Sequence, residues 1–157
     1  DLFWKDIPDD KVGDYEYMLD LLDWEANLDP QFAQNHFMAP RPVAPVEEME
    51  AEGYRDMWIC YRSPAFSAKE LTVLPGRTVT IRDAAAYGLI MMQGHGWLGA
   101  CPIETPTLIR HGQLTHDEYF VSESAARTGL VIVNESSTDP LVMLKHFGPG
   151  NPDLDLS

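Results

Sequence analysis

The sequence predicts a mainly β protein, a closed barrel or sandwich that follows an N-terminal extension of helix and extended chain. From Met57 onward, apolar runs of about five to eight residues alternate with Gly, Pro, Asp and Ser, which is typical of many short antiparallel strands. Two other patterns precede Met57: first apolar residues at helical spacing, then a Pro-rich stretch. At 157 residues the chain has the length of one domain.

The extension has two predicted helices with an arm between them. Asp14 can cap a helix whose apolar residues recur at helical spacing, namely Tyr15, Met18, Leu19 and Leu22. The stretch from Pro30 to Pro45 is expected to run extended across a surface, because its prolines disfavour helix in the residues before them. Pro45 then suits the first turn of a short helix that ends at Gly53. We expect no helix after Gly53.

Nine short strands are predicted in the remainder of the chain. They are Met57–Tyr61, Lys69–Leu74, Thr78–Arg82, Tyr87–Gln93, Trp97–Ile103, Thr107–Ile109, Tyr119–Ser122, Leu130–Asn134 and Leu141–His146. So many short strands need a barrel or two stacked sheets to bury their apolar faces. The predicted division is therefore an acidic extension at 1–56, a barrel at 57–148 and a tail at 149–157.

The charge balance excludes some classes of partner. The chain has 25 acidic and 11 basic residues, a net charge of −14, and residues 1–60 hold 15 of the acidic residues against 4 basic ones. Nucleic acids and anionic membrane surfaces would be repelled. The longest apolar run, Tyr87–Met92, is too short to span a bilayer, and Cys60 and Cys101 suggest no disulfide framework. These observations predict a cytoplasmic protein that binds neither nucleic acid nor membrane.

Several segments, taken in their order and spacing, resemble the cupin superfamily. They are Leu71–Gly76, Gly88–Gly96, Thr115–Val121, and Gly129–Asn134 followed by Asp139–Leu144. The resemblance covers Ala68 to Gly148. It implies a double-stranded β-helix, a small jelly-roll barrel, which in this chain follows the N-terminal helical and extended extension predicted above. In most cupins the open mouth of the barrel holds a ligand and one divalent metal, bound by three His and a Glu.

The chain departs from the cupin pattern at the metal ligands. Counting along the family's motifs places the four ligand positions at Thr80, Arg82, Tyr87 and Leu130, so the usual metal site is expected to be lost. Thr80, Arg82 and Tyr87 would give a pocket with one cation and two hydroxyls. Such a pocket suits a carbohydrate, a sugar acid or a sugar phosphate. Arg82 could equally be a strand-end charge that points to solvent.

A second group of candidates lies on the predicted hairpin around Trp97. Gln93 and Glu104 can face each other across it, and a buried Glu104 could act as a general base together with His95. Trp97 could stack on a sugar ring at the mouth of the barrel. Gln93 and Glu104 could instead form a cross-strand pair on the surface, with no catalytic role. The glycines beside His95 could instead mark a bend in a strand.

A metal site built from other ligands is a further possibility. His95, His111 and His116, with Glu104 or Glu118, carry imidazole and carboxylate groups that suit Zn, Fe, Mn or Ni. His111 and His116 flank a predicted turn at Gly112, and solvated loop histidines are the alternative interpretation.

Two functional hypotheses follow. The first is a barrel that binds a small polar ligand without the usual metal or another cofactor, either as a binding module or as the inactive half of a larger two-barrel protein. The second is a metal-dependent sugar or sugar-phosphate isomerase, or a related cupin enzyme. The Pro-rich arm could lie along a partner barrel, which predicts a homodimer or association with a second cupin domain.

Overall fold

The structure is a computed structural model that describes residues 2–106 and 111–154. The chain divides into two compact units, Asp1–Phe37 and Met38–Ser157. We call them the N-terminal unit and the barrel unit. None of the helices in the described part of the chain has the length and apolar composition needed to span a bilayer.

The N-terminal unit is built from short helices. Two 3-10 helices at Leu2–Trp4 and Asp9–Lys11 precede three α-helices: α1 at Tyr15–Asp20, α2 at Trp24–Leu28 and α3 at Phe32–His36. The side chain of Asp14 caps α1, since it accepts a hydrogen bond from the Tyr17 N–H at 3.0 Å. The predicted helix with an Asp14 cap is therefore confirmed.

The expectation that the whole stretch from Pro30 to Pro45 runs extended is wrong. Helix α3 lies within it, because the restrictive prolines at 40, 42 and 45 follow this helix and constrain only the residues next to them. Residues 37–40 are without regular structure, and Arg41–Pro42 forms a two-residue strand, β1.

Ten strands and two helices make up the part of the barrel unit that the structure describes. After β1 come α4 (Val46–Glu52), β2 (Tyr54–Cys60), β3 (Ser67–Val73), β4 (Thr78–Ile81), β5 (Tyr87–Gln93), β6 (His95–Leu98), β7 (Cys101–Glu104), β8 (Glu118–Val121), α5 (Glu123–Thr128), β9 (Leu130–Asn134) and β10 (Leu141–Phe147). Gly53 ends α4 in the left-handed conformation, with φ of 102°, as predicted.

The strands form two antiparallel sheets with jelly-roll order. One sheet has the order β1-β2-β3-β10-β5-β8, and the other has the order β4-β9-β6-β7. Apart from the β6–β7 hairpin, the strands from β3 to β10 alternate between the two sheets along the chain, which is the double Greek-key path of a jelly roll. The predicted mainly β, jelly-roll fold is confirmed.

Two details of the strand and helix prediction need correction, and a third lies outside the described residues. The predicted strand Trp97–Ile103 is two strands, because Gly99 adopts φ of 60° and turns the chain between β6 and β7. A helix does follow Gly53: α5 forms where the Ser122 side chain accepts a hydrogen bond from the Ala125 N–H. The predicted strand at 107–109 lies outside the described residues.

The space between the sheets is filled by side chains from alternate strand positions. The core includes Leu71, Val73, Leu89, Met91, Ile103, Ile132, Leu141 and Met143, all nearly inaccessible to solvent. A buried Asn134 side chain donates hydrogen bonds to the backbone oxygens of Val73 and Asp139, at 3.0 and 2.9 Å. It thereby ties the end of β9, in the four-stranded sheet, to the end of β3 in the other sheet.

Candidate functional site: a cavity beside buried lysines and aspartates

The barrel unit contains a cavity of about 300 Å³ where β2 and β3 of one sheet approach β4 of the other. The C-terminal segment contributes Asp153 to its lining. The lining residues are Val43, Tyr54, Asp56, Trp58, Lys69, Thr80, Ile81, Arg82 and Asp153. The lining is rich in hydroxyl, carboxylate and cationic groups, which is the composition of a site for a polar molecule.

Two lysines lie side by side on the inner face of the six-stranded sheet beside this cavity. Lys69 on β3 and Lys145 on β10 are directly opposite each other in the register. Both are buried, and Lys145 is inaccessible to solvent. Like charges in opposed positions repel each other, and buried charges must be paired, so this arrangement requires nearby anions.

Asp83, just after β4, bridges the two ammonium groups. Its Oδ1 accepts a hydrogen bond from Lys69 Nζ at 2.7 Å, and its Oδ2 accepts one from Lys145 Nζ at 3.0 Å. Burial acts to raise the pKa of the Asp83 carboxyl, but Lys145 and Lys69 together outweigh it and hold that pKa below the ordinary value. Asp83 is therefore the ionised partner of the pair of lysines.

Asp56 on β2 is the second carboxylate, and its two oxygens differ. Its Oδ2 accepts a hydrogen bond from Lys145 Nζ at 2.8 Å and lies 3.9 Å from Lys69 Nζ. Its Oδ1 is buried without a hydrogen-bond partner in the described part of the chain. Burial raises the pKa of Asp56 above the ordinary value, even though Lys145 and Lys69 act to lower it. An unpaired buried oxygen costs free energy unless a further donor satisfies it.

Aromatic rings flank the lysines. Lys69 Nζ lies 4.5 Å from the centroid of the Trp58 ring, and Lys145 Nζ lies 5.7 Å from that of Tyr87. Distances under about 6 Å permit a cation–π attraction, which partly replaces the hydration that each ammonium loses on burial. Burial raises the pKa of the Tyr87 hydroxyl, and Asp83 and Asp56 raise it further, so Tyr87 is a neutral phenol.

The C-terminal segment supplies a third carboxylate at the cavity. Asp153 Oδ2 accepts a hydrogen bond from the Ala84 N–H at 2.8 Å and lies 4.0 Å from Lys69 Nζ. The Asp153 N–H in turn donates to Asn151 Oδ1 at 3.0 Å. Asp153 is thus held by a backbone donor of the β4–β5 connection, within reach of a cation of the cavity wall.

Thr80 and Arg82 line the cavity from exposed positions. Residues Val79 and Ile81 occupy the inward positions of β4, so Thr80 lies on the opposite face of the strand. A Cβ placed on Gly129 would lie 2.9 Å from Thr80 Cγ2 and 3.2 Å from Arg82 Nε, which shows that both side chains lie over this glycine. Tyr87 does not line the cavity; it is buried in the core, 2% exposed. The structure therefore separates Tyr87 from the other two predicted residues.

The inner face of the four-stranded sheet does not fit the metal that cupins usually hold. On the paired strands β4 and β9 the inward side chains are Val79, Ile81, Leu130 and Ile132. Aliphatic groups have no lone pair to offer a cation.

Most of the hairpin candidates lie on the outer face of the four-stranded sheet. His95 and Glu104 are opposite each other in the register and exposed, and Trp97 is 39% exposed. The cross-strand partner of Glu104 is therefore His95, whereas Gln93 pairs with Val142 of β10.

Gly96, which follows His95, allows strand β9 to lie close to β6. A Cβ on Gly96 would lie 1.9 Å from the backbone oxygen of Val133, so only glycine lets β6 and β9 come this close.

The remaining histidines are dispersed. His111 and His116 are exposed, and His116 Nδ1 lies 3.4 Å from the Tyr119 hydroxyl. Within residues 2–106 and 111–154, no group of three or more His, Cys, Asp or Glu side chains could hold a metal ion. The Zn, Fe, Mn or Ni site and the homodimer both remain predictions.

Sequence reasoning missed four of the residues at this site: Asp56, Asp83, Lys145 and Asp153. Strand alternation lets only one of Lys69 and Glu70 face inward, and the structure buries Lys69 and exposes Glu70. One signal was present in the sequence. Lys145 stands two residues from Met143 and from Phe147, and Asp56 two residues before Trp58, so period-two alternation places these charges on core-facing positions.

The chain is similar to several solved structures at low sequence identity. An RmlC-like cupin protein from Ralstonia eutropha JMP134 is 9% identical with a TM-score of 0.47, over 78% of this chain and 67% of that chain. A chain in the complex of Rhodobacter sphaeroides SigE with the anti-sigma ChrR is 12% identical with a TM-score of 0.46, over 76% and 58%. A cupin 2 domain-containing protein from Halorhodospira halophila is 19% identical with a TM-score of 0.45, over 73% and 84%.

The likeness to these structures concerns the fold. The predicted jelly-roll fold rests on the strand order already observed, and cupin proteins are among the structures that this chain is similar to. The chain spans only 58% of its match in the SigE–ChrR complex. No protein-family model matches the sequence, and no curated protein matches it.

Proposed function

We propose that this chain binds a small polar ligand with several hydroxyl groups, such as a carbohydrate or a sugar acid, in the cavity between β2, β3 and β4. The observation that carries the proposal is the buried Asp56 Oδ1, which lacks a hydrogen-bond partner in the described residues although Asp56 lines the cavity. A ligand hydroxyl would supply the missing donor and remove the cost of the unpaired oxygen.

The other lining groups match such a ligand. Tyr54 and Thr80 carry hydroxyls that can both donate and accept, and Arg82 can grip a carboxylate or phosphate through parallel hydrogen bonds. The exposure of Arg82 lets it bind a group at the mouth of the cavity while Asp56 binds one deeper inside. This pattern supports a ligand that is polar along its whole length.

The binding mode that we propose uses no metal. The aliphatic inner face of β4 and β9 supports this choice, because Val79, Ile81 and Ile132 offer no lone pair to a cation. Recognition then rests on hydrogen bonds and charge in the neighbouring cavity.

Calorimetric titration of the purified chain with glucose, gluconate and glucose phosphate tests the proposal. Thr80→Val should weaken binding roughly threefold to tenfold, the effect of one lost hydrogen bond. Thr78→Val is the matched control, since Thr78 is an exposed threonine on the same strand that does not line the cavity.

Equal binding by the two threonine variants would place the ligand elsewhere. Absence of binding for all three compounds, together with no small molecule released from the purified protein in mass spectrometry, would reject the carbohydrate class.

A further inference from the structure

The three carboxylates around Lys69 are held in different ways. Asp83 and Asp56 are buried on strands or beside them, 3% exposed each, and each accepts a hydrogen bond from Lys145. Asp153 comes from the segment after β10, and its side chain is 35% exposed. Asp153 is thus the one of these three whose carboxylate can leave without exposing a buried charge.

The formal charges at the cavity balance only while Asp153 is in place. Three cations, Lys69, Lys145 and Arg82, stand against the three carboxylates Asp56, Asp83 and Asp153. Withdrawal of Asp153 would leave one positive charge in excess, together with a free N–H on Ala84. A monoanion would restore both the charge balance and the hydrogen bond.

We infer that the Asp153 carboxylate occupies the subsite for the anionic group of the ligand, and that the ligand is a small hydroxy acid, such as a sugar acid, which displaces Asp153 when it binds. The ligand's carboxylate accepts from the Ala84 N–H and lies near Lys69, in the position that Asp153 holds in its absence. A hydroxyl of the same molecule donates to Asp56 Oδ1. The C-terminal segment is therefore a built-in competitor that sets the affinity.

This inference rests on the proposed function and predicts a difference between two probes. Gluconate, an open chain, and glucose, a ring, both carry several hydroxyl groups, but only gluconate carries a carboxylate. Asp153→Asn keeps the size of the side chain and removes the competing charge. We expect it to raise the affinity for gluconate about tenfold and to leave the affinity for glucose unchanged within about twofold.

Glu135→Gln is the control for the loss of one negative charge from an acidic protein, because Glu135 is exposed and does not line the cavity. It should leave both affinities unchanged. In the unaltered protein, gluconate should also shift the Ala84 amide resonance, since the acceptor of that N–H changes, whereas glucose should not.

The outcomes separate the two claims. Gluconate and glucose binding without any effect of Asp153→Asn would overturn the inference and leave the proposed function standing. Weaker gluconate binding by Asp153→Asn would also overturn it, because Asp153 would then help to hold the ligand. If neither compound binds either protein, the proposed function fails and the inference fails with it.

Discussion

The inner faces of the two sheets carry different kinds of side chain. We call the inner face of the four-stranded sheet the apolar wall and that of the six-stranded sheet the charged wall. The four-stranded sheet presents buried apolar side chains along its inward positions, namely Val79, Ile81, Leu98, Ile103 and Ile132, and in the described residues its buried polar side chain is Asn134 at the end of β9. The six-stranded sheet alternates similar apolar groups with Asp56, Lys69 and Lys145. Both walls close the same core, so packing alone does not require the charges.

The buried charges on one of the two inner faces go beyond what folding requires. Removing an ion pair from water costs several kcal/mol per ion by order of magnitude, and well-packed apolar groups would often serve stability equally well. In this barrel the charges are concentrated beside the cavity, and one of their oxygens is left without a partner. We interpret the charged wall as a binding surface that the apolar wall supports.

The largest effect should come from removing one buried cation. Lys145→Met leaves Asp83 and Asp56 without their shared ammonium, and we expect the free energy of unfolding to fall by ~3–5 kcal/mol. Urea denaturation at neutral pH measures it. On the apolar wall, Ile132→Val should cost only about 0.5–1.5 kcal/mol. If Lys145→Met costs no more than Ile132→Val, the two walls do not differ as we describe.

The two carboxylates should respond differently to substitution and to pH. The pKa of Asp83 is lowered from 3.8, so its contribution to stability is present above that pH and is lost as the pH falls through its folded pKa. The pKa of Asp56 is raised from 3.8, so its contribution is present below 3.8 and is lost as the pH rises through its folded pKa.

At neutral pH, Asp83→Asn should therefore destabilise the protein more than Asp56→Asn, by roughly 1–3 kcal/mol. Denaturation curves between about pH 3 and pH 7 measure both variants, and Asp83→Asn should also show a shallower loss of stability on acidification. The opposite order of the two variants at neutral pH would contradict the assignment of Asp83 as the ionised partner.

A smaller effect is expected at the mouth of the cavity. Arg82→Ala should weaken gluconate binding about tenfold in calorimetric titration, because a charge-assisted hydrogen bond from Arg82 to a ligand hydroxyl at the mouth contributes about 1.5–3 kcal/mol at most. Stability should change little, since Arg82 is exposed. The control is Arg127→Ala, which removes an exposed arginine that is paired with Glu123 on α5. Equal affinities of the two variants would remove Arg82 from the site.

The smallest effect is expected on the outer face of the four-stranded sheet. Trp97 lies there and does not line the cavity, so Trp97→Ala should change gluconate affinity less than about twofold. Calorimetric titration of the Trp97→Ala protein with gluconate measures this affinity. A large loss of affinity would favour the earlier expectation that Trp97 stacks on a sugar ring.

Much of the fold could be predicted from the sequence because it follows local patterns. The bounds of β5 and β9 match the predicted runs residue for residue, and Gly53 ends α4 as its position suggests. The turn at Gly99 was missed because apolar residues continue on both sides of it, and an apolar run does not show where the chain reverses.

The site was harder to predict than the fold. Counting along the cupin motifs identified Thr80 and Arg82 but placed both side chains inside the barrel. In the structure, Val79 and Ile81 are the residues of β4 that face inward. The partners of Lys69 come from β2, the turn after β4 and the C-terminal segment. Contacts between such distant residues depend on sheet order and register, which single-strand patterns do not specify.

The most direct test of the account is an amide NMR titration of the full chain with gluconate. We predict that the perturbed resonances belong to the residues around the cavity, namely 54–58, 69, 80–84 and 153. Perturbation confined to another surface, such as the outer face of the six-stranded sheet around Phe120 and His146, would contradict the claim that the charged wall is a binding site.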